Sequence, residues 1–467
     1  MMLGPRLECQ TVQHLKQEIL DVENGLTPPI RVAGQPPAHK SLVREMQELH
    51  VPAVSVVVIH NGAIEWAKGY GVVCPGGARV TPETLFQAAS ISKSLTAMAA
   101  LHLVETGSLS LDAPIQTELK NWTVPQNKFT MQHPVTLREL LSHTAGTTVH
   151  GFAGYAAGSQ VPTLLQVLNG QKPANSDPVV VNATPGEGYS YSGGGFIIVQ
   201  QTLMDTANEP FATLMKKTVL DPIGMHHSNY QHPLNIALLP KVARPVDGNG
   251  KPIEGGPHTY PEMAAAGLWT TPTDLALWII EMQHSLAGRA NHVLSTEMTR
   301  TMLTPVKSDY GLGVGLQATA GKKSFSHSGG NEGYRAFYIG YEDGDGAVVM
   351  TSGNNGGNLM MDLIRSVAQV YGWPDFRVVE HAAIDLPASL QASYIGKFAA
   401  KNILDFSIRN QGSRLQLEQK GEGPQPLFAS APALLFTTAS QMLIRFDSFD
   451  RGALIFGKDE YPFERIK

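Results

Sequence analysis

Val51 to His60 (VPAVSVVVIH), the dipeptide Asn61-Gly62 and Ala63 to Tyr70 constrain the fold of this chain more than any other segment. Asn-Gly suits the two-residue turn whose twist matches that of its flanking strands, so the segment predicts a β-hairpin. A second hairpin is predicted nearly three hundred residues later, at Ala336 to Tyr341 and Ala347 to Ser352, around the turn-forming EDGDG. Between them the pattern turns helical, at Ser90 to Glu105, Thr136 to Ser142, Phe196 to Asp205, Phe211 to Leu220 and Thr273 to His284. Strands at both ends with helices between predict an α+β fold, an antiparallel sheet flanked by helices and carrying a helical lobe.

At 467 residues the chain exceeds one ordinary core, and the boundary is expected between Gly372-Trp373-Pro374 and Pro387. Beyond it, short alternating runs such as Leu404/Phe406/Ile408, Leu415/Leu417 and Ile444/Phe446 predict a small all-β, barrel-like domain. The expected limits are 1–380, with an N-terminal arm over 1–42 whose Pro and Gly content reads as a connector, and 385–467.

A charged fraction of 16%, a net charge of −5 and a pI near 6.3 give no electrostatic reason to expect nucleic acid. The expected partner is a small molecule. Two cysteines, Cys9 and Cys74, cannot form a disulfide framework and are expected to be free thiols. No window holds the ~18 consecutive apolar residues that a membrane span needs. The first residues carry no basic stretch followed by an apolar core, so the expected location is cytoplasmic as written, or periplasmic or secreted if a leader was removed. Adjacent His226-His227 and the lack of any His-Glu-x-x-His spacing argue against a metal site, and no cofactor is implied.

Ser90-Ile91-Ser92-Lys93 is the one Ser-x-x-Lys of the chain, placed where LFQAAS gives way to a helix. Residues three apart share a helix face, so the Lys93 amine can reach the Ser90 hydroxyl. A serine is a poor nucleophile until a neighbour accepts its proton, which a lysine of depressed pKa can do. The motif alone is weak, and an N-cap serine before a surface lysine would look the same. Its company strengthens it: Pro185-Gly186-Glu187 precedes Tyr189-Ser190-Tyr191-Ser192-Gly193-Gly194-Gly195, and His327-Ser328-Gly329-Gly330 precedes the second hairpin.

With these elements, and with LRELLSHTAG at 137–146, LDPIGM at 220–225 and Gly267-Leu268-Trp269, the chain resembles the β-lactamase-like serine hydrolases from about Val43 to Trp373. That group holds class C β-lactamases, penicillin-recognising carboxypeptidases, D-aminopeptidases and related carboxylesterases. The resemblance implies a β-lactamase/transpeptidase-like fold and an acyl-enzyme on Ser90, with Lys93 and Tyr191 moving its proton. It matches Tyr191 to the family's Tyr-x-Asn tyrosine, with a pKa expected to be lowered by the lysine ammonium, and His327-Ser328-Gly329 to its Lys-Thr-Gly strand. His327 is expected to orient Tyr191 or the substrate, and the Ser90 and Gly330 amides to hold the oxyanion. More loosely, the C-terminal segment resembles a lipocalin-like domain, which could shape the site's mouth, contact a neighbour in a homo-oligomer, or stabilise the fold.

Two departures bear on substrate. Gly193 stands where many relatives carry Asn, and His327 replaces a permanently charged Lys. Both favour small esters over peptides and β-lactams. The alternatives are a D-amino-acid peptidase or amidase, a weak β-lactamase, and a penicillin-binding sensor that does not turn over. Tyr310 to Leu316 (YGLGVGL) lacks the spacing of a nucleotide loop and reads as a strand.

Overall fold

The computed structural model describes residues 5–36, 39–401, 403–412, 414–419, 424–457 and 459–466. The chain divides into two compact units, residues 51–360 and a second in which residues up to 50 join those from 361 onward. This grouping does not follow chain order, as the expected limits do.

The larger unit is built on a six-stranded antiparallel sheet with strand order Ala63–Gly71, Ala53–His60, Gly346–Ser352, Tyr334–Tyr341, Lys322–Asn331 and Gly315–Thr319. Asn61 and Gly62 take φ of 54° and 74°, the doubly positive turn that the dipeptide predicts. The strand Ala53–His60 is buried along nearly its whole length, which is why its sequence is a near-continuous apolar run rather than an alternation. The helix Pro272–Leu286 packs across the inner strands, where Trp278 meets Tyr338 edge-on at 5.1 Å between ring centroids.

The helix Ser92–Glu105 runs through the interior, its first ten residues all buried. A helix with apolar residues on every side must be covered on every side. Two further helices begin as their sequences direct. Thr136 caps Leu137–Leu141 with a reciprocal capping box to Glu139, and Ser192 caps Gly193–Ala207 by accepting from the Gly195 amide at 2.9 Å. The YGLGVGL reading needs correction. Residues 312–314 form bends, and the strand starts only at Gly315. Gly313, at φ 77°, lies so near the helix Ser92–Glu105 that a Cβ there would come within 2.5 Å of the Ala97 methyl, which rules out an extended side-chain-bearing strand.

In the smaller unit, nine antiparallel strands form a nearly closed, barrel-like sheet. The Gly396–Ala400 strand pairs with the last strand, Asp459–Ile466, and the two strands at the sheet's ends, Gln425–Pro426 and Phe428–Ala431, are separated by Leu427 alone. The core is aromatic. Phe398, Phe406, Phe446 and Phe463 contact one another at ring-centroid distances of 5.2 to 5.5 Å. The N-terminal arm is more than a connector. Ile30–Val32 pairs in parallel with Val379–His381, and Ile30 and Val32 are buried beside Phe436. Cys74 is a free, half-buried thiol; the Cys9 side chain lies outside the described residues. No described helix is long and apolar enough to cross a membrane, and no described group of His, Cys, Asp or Glu could hold a metal ion.

Candidate active site

Ser90 follows the buried strand Phe86–Ala89, which pairs with Leu268–Thr270. Ala89 has φ of 50°, a conformation that side-chain-bearing residues seldom adopt and that turns the chain sharply before the serine. The helix proper begins at Ser92, two residues later than its pattern suggests, and Ser90 sits in the tight turn that opens it, its carbonyl accepting from the Lys93 amide at 3.0 Å. Ser92 fixes that turn: its hydroxyl donates to the Ala89 carbonyl and accepts from the Leu268 amide at 2.9 Å.

Lys93 is 2% exposed. Its Nζ donates to Ser90 Oγ at 3.1 Å and to the Ala265 carbonyl at 2.8 Å, with the rings of Tyr191 and Phe196 at 5.0 and 5.7 Å. Burial pushes its pKa down to about 7. An ammonium without water is costly, and the carbonyl and ring faces only partly replace that water. Near neutrality a large fraction of Lys93 is therefore the free amine, the form that accepts a proton.

Burial pushes the pKa of Tyr191 up to about 12, a rise that the neighbouring Ser90 hydroxyl only partly offsets. The expected lowering by a lysine ammonium is overturned, because Lys93 has itself lost much of its charge and desolvation of a phenolate outweighs what attraction is left. Tyr191 is thus a proton donor at neutral pH. It precedes Ser192, whose amide donates to His143 Nδ1 at 3.1 Å and whose hydroxyl donates to the Thr148 carbonyl at 2.7 Å.

His327 is buried on the strand Lys322–Asn331, with its ring centroid 6.1 Å from that of Tyr191. Its Nδ1 donates to the Ser328 carbonyl at 2.6 Å, which leaves Nε2 as an acceptor without a partner among the described residues. Burial first, then the nearby Lys93 charge, push its pKa down to about 3. It is a neutral imidazole where relatives carry a cation. Ser328 and Gly330 face away from the buried side that holds His327 and Gly329.

Gly329 explains the glycines of this strand. A Cβ there would lie 2.1 Å from the Ala88 carbonyl oxygen, so only glycine lets the sheet edge touch the segment that carries Ser90. Asn331 fastens the same seam, its Nδ2 donating to Gln87 Oε1 at 2.7 Å and the Ala266 carbonyl at 3.1 Å. Gly193 is equally crowded. A Cβ would stand 3.0 Å from the Phe152 ring and 3.2 Å from the His150 carbonyl oxygen, so this backbone has little room for the asparagine of the relatives.

The structure thus joins Ser90 and Lys93 by a hydrogen bond and sets Tyr191, His327 and Gly329 beside them. Two residues given no role by the sequence belong to the same cluster. His143, at φ 59°, packs its ring 4.2 Å from Tyr191 and 5.0 Å from Tyr310. Accepting at Nδ1 from Ser192 places its proton on Nε2, which has no partner among the described residues. Tyr310 is buried, its hydroxyl also without a partner. Position 143 lies in the LRELLSHTAG segment, whose pattern marks a helix end and gives no sign that the ring turns inward.

A family model described as Beta-lactamase matches residues 39–371. Protein flp of Staphylococcus aureus (strain N315) is 20% identical over 246 residues, 51% of this chain and 47% of that protein; the chain spans about half the length of the curated relatives it matches first. Among solved structures, the octameric penicillin-binding protein homologue from Pyrococcus abyssi aligns over 91% of this chain and 98% of its own, with TM-score 0.61 and 22% identity. The D-amino acid amidase from Ochrobactrum anthropi SV3, complexed with L-phenylalanine amide, aligns over 71% of this chain and 95% of its own, with TM-score 0.56 and 19% identity. These likenesses establish the β-lactamase/transpeptidase-like fold, and a family model matched along so much of the sequence settles descent: the chain belongs to the Beta-lactamase family.

Proposed function

We propose that the protein is a serine hydrolase that cleaves small neutral esters through an acyl-enzyme on Ser90. The observation that carries this reading is the 3.1 Å contact between the Ser90 hydroxyl and a buried lysine whose pKa lies near 7. The Lys93 amine takes the hydroxyl proton as Ser90 Oγ attacks the ester carbonyl. The backbone N–H groups of Ser90 and Gly330 stabilise the resulting oxyanion, as fixed dipoles that need no reorganisation. Tyr191, protonated at working pH, donates to the departing alkoxide and is reprotonated from the Lys93 ammonium. A water molecule, deprotonated by the same pair, then attacks the acyl carbonyl, and the acid leaves as Ser90 recovers its proton.

The ester preference rests on what the site offers a substrate. Gly193 presents no side-chain amide to hydrogen-bond a peptide or β-lactam, and neutral His327 gives little attraction to a substrate carboxylate. An amidase reading draws on the D-amino acid amidase among the structural neighbours, and a homo-oligomer on the octameric one.

The test is turnover of p-nitrophenyl acetate and butyrate, a D-alanyl p-nitroanilide and nitrocefin by wild type and Ser90→Ala. The esters should dominate, and Ser90→Ala should lose at least about a thousandfold. A dominant nitrocefin or anilide rate would overturn the preference. A stable fluorophosphonate adduct by intact mass, with no turnover of any substrate, would favour the sensor reading.

A further inference from the structure

The smaller unit holds a cavity of about 480 Å3, within the ~300–1,000 Å3 typical of small-molecule pockets. It shares no residue with the Ser90 site. Ile30, Val32, Ala368, Phe376 and Phe428 give it apolar walls. Phe376 has φ of 60°, a strained conformation for a bulky residue of the kind that clusters at ligand clamps.

Arg365 also lines the cavity and is only 6% exposed. Its Nη1 is fully used, donating to the Thr27 carbonyl and to the Asp362 carboxylate at 2.6 Å each. Nε is buried without a partner, Nη2 makes no hydrogen bond among the described residues, and the hydroxyl of neighbouring Thr27 is likewise buried and unpaired. Nε–H and Nη2–H lie on one edge of the guanidinium and form the fork that takes a carboxylate through two parallel hydrogen bonds. Asp362 is an incomplete counter-charge, since burial pushes its pKa up to about 7 despite the adjacent arginine. A buried guanidinium bordering a chamber whose lining is mostly apolar but also carries Arg31, Arg377 and the buried Asp375, and with its Nε–H unused, is matched by a ligand that is anionic at one end and apolar along the rest.

We propose that this cavity binds an amphipathic monocarboxylate, with its acid group on the Nε/Nη2 edge of Arg365 and its apolar body against Ile30, Ala368 and Phe428.

Decanoate is the probe, with 1-decanol as the uncharged control. Calorimetry on the full chain should show one saturable decanoate site, with decanol at least about tenfold weaker, the scale of charge-assisted hydrogen bonds. Arg365→Gln should bring decanoate down to the level of decanol, while Ala368→Phe should fill the chamber and abolish both without changing ester hydrolysis. A second readout comes from Trp373, which lines the cavity, the other four tryptophans lying in the larger unit. 10-Bromodecanoate should quench its emission, and Trp373→Phe should remove the quenching. Equal affinity for decanoate and decanol, no saturable binding, or quenching that survives Trp373→Phe would each overturn the assignment.

Discussion

The Nζ of Lys93 donates to the main-chain carbonyl of Ala265 at 2.8 Å, and burial, with no carboxylate among the causes, sets its pKa. A carbonyl orients the amine toward Ser90 without the full countercharge that would hold it as an ammonium. An acid in the same place would raise the lysine's pKa and deprive it of its role as a base.

The first consequence is a pH profile. If the Lys93 amine is the base, kcat/KM for p-nitrophenyl butyrate should rise with pH through about 7 and then stay level, because Tyr191 keeps its proton up to about 12. His327, near 3, titrates too low to produce that limb. A descending limb between pH 8 and 10, with the fold intact by circular dichroism, would contradict the assigned protonation states.

Stability should carry the same signature. The folded-state pKa of Lys93 lies below its unfolded value of about 10.5, so between pH 7 and 10.5 the unfolded chain binds more protons at this site and stability increases with pH. The penalty is complete below pH 7 and gone above 10.5. Relative to Lys93→Met, wild type should gain roughly 3 kcal/mol from pH 7 to 10 in urea unfolding; parallel curves for the two proteins would count against a buried, depressed lysine.

Gly193→Asn tests the specificity argument. Restoring the relatives' residue should cost about 1–3 kcal/mol, as overpacking against Phe152 does elsewhere, and should not create nitrocefin turnover by itself. Combined with Phe152→Ala, which clears the space, the loss should shrink, and a double-mutant cycle on Tm measures the coupling.

His143 should act on Tyr191 through position. His143→Phe keeps a ring against Tyr191 but leaves the Ser192 amide unpaired, at a cost of about 1–3 kcal/mol. Because Ser192 follows Tyr191 directly, kcat should fall with KM little changed, and His143→Asn, which can still accept from the amide, should recover part of the loss. A drop in Tm with kcat intact would reduce His143 to a packing residue.

Much of this arrangement was legible in the residues. Both hairpins follow from alternation and turn chemistry, the barrel-like sheet from period-two runs such as Phe406/Ile408, and the Ser90–Lys93 pair from helical spacing. Other features depend on long-range contacts that leave no local pattern. YGLGVGL looks extended, but the closeness of Gly313 to Ala97 bends it. The arm's Pro and Gly suggest a tether, whereas Ile30 and Val32 gain their value only by meeting Phe436. The charge states of Tyr191 and His327 depend on how much water the completed fold removes, a quantity absent from any single stretch of sequence.

The seam at Gly329 divides the site into rigid and adjustable parts. One methyl group there would drive Ala88 away and carry Ser90 off its mark, whereas at Gly330 the nearest atom to an added Cβ is the Arg335 side chain, 3.7 Å away. Anyone wishing to vary this strand by design should leave position 329 alone and diversify 330, which lies on the exposed face and has room for a side chain.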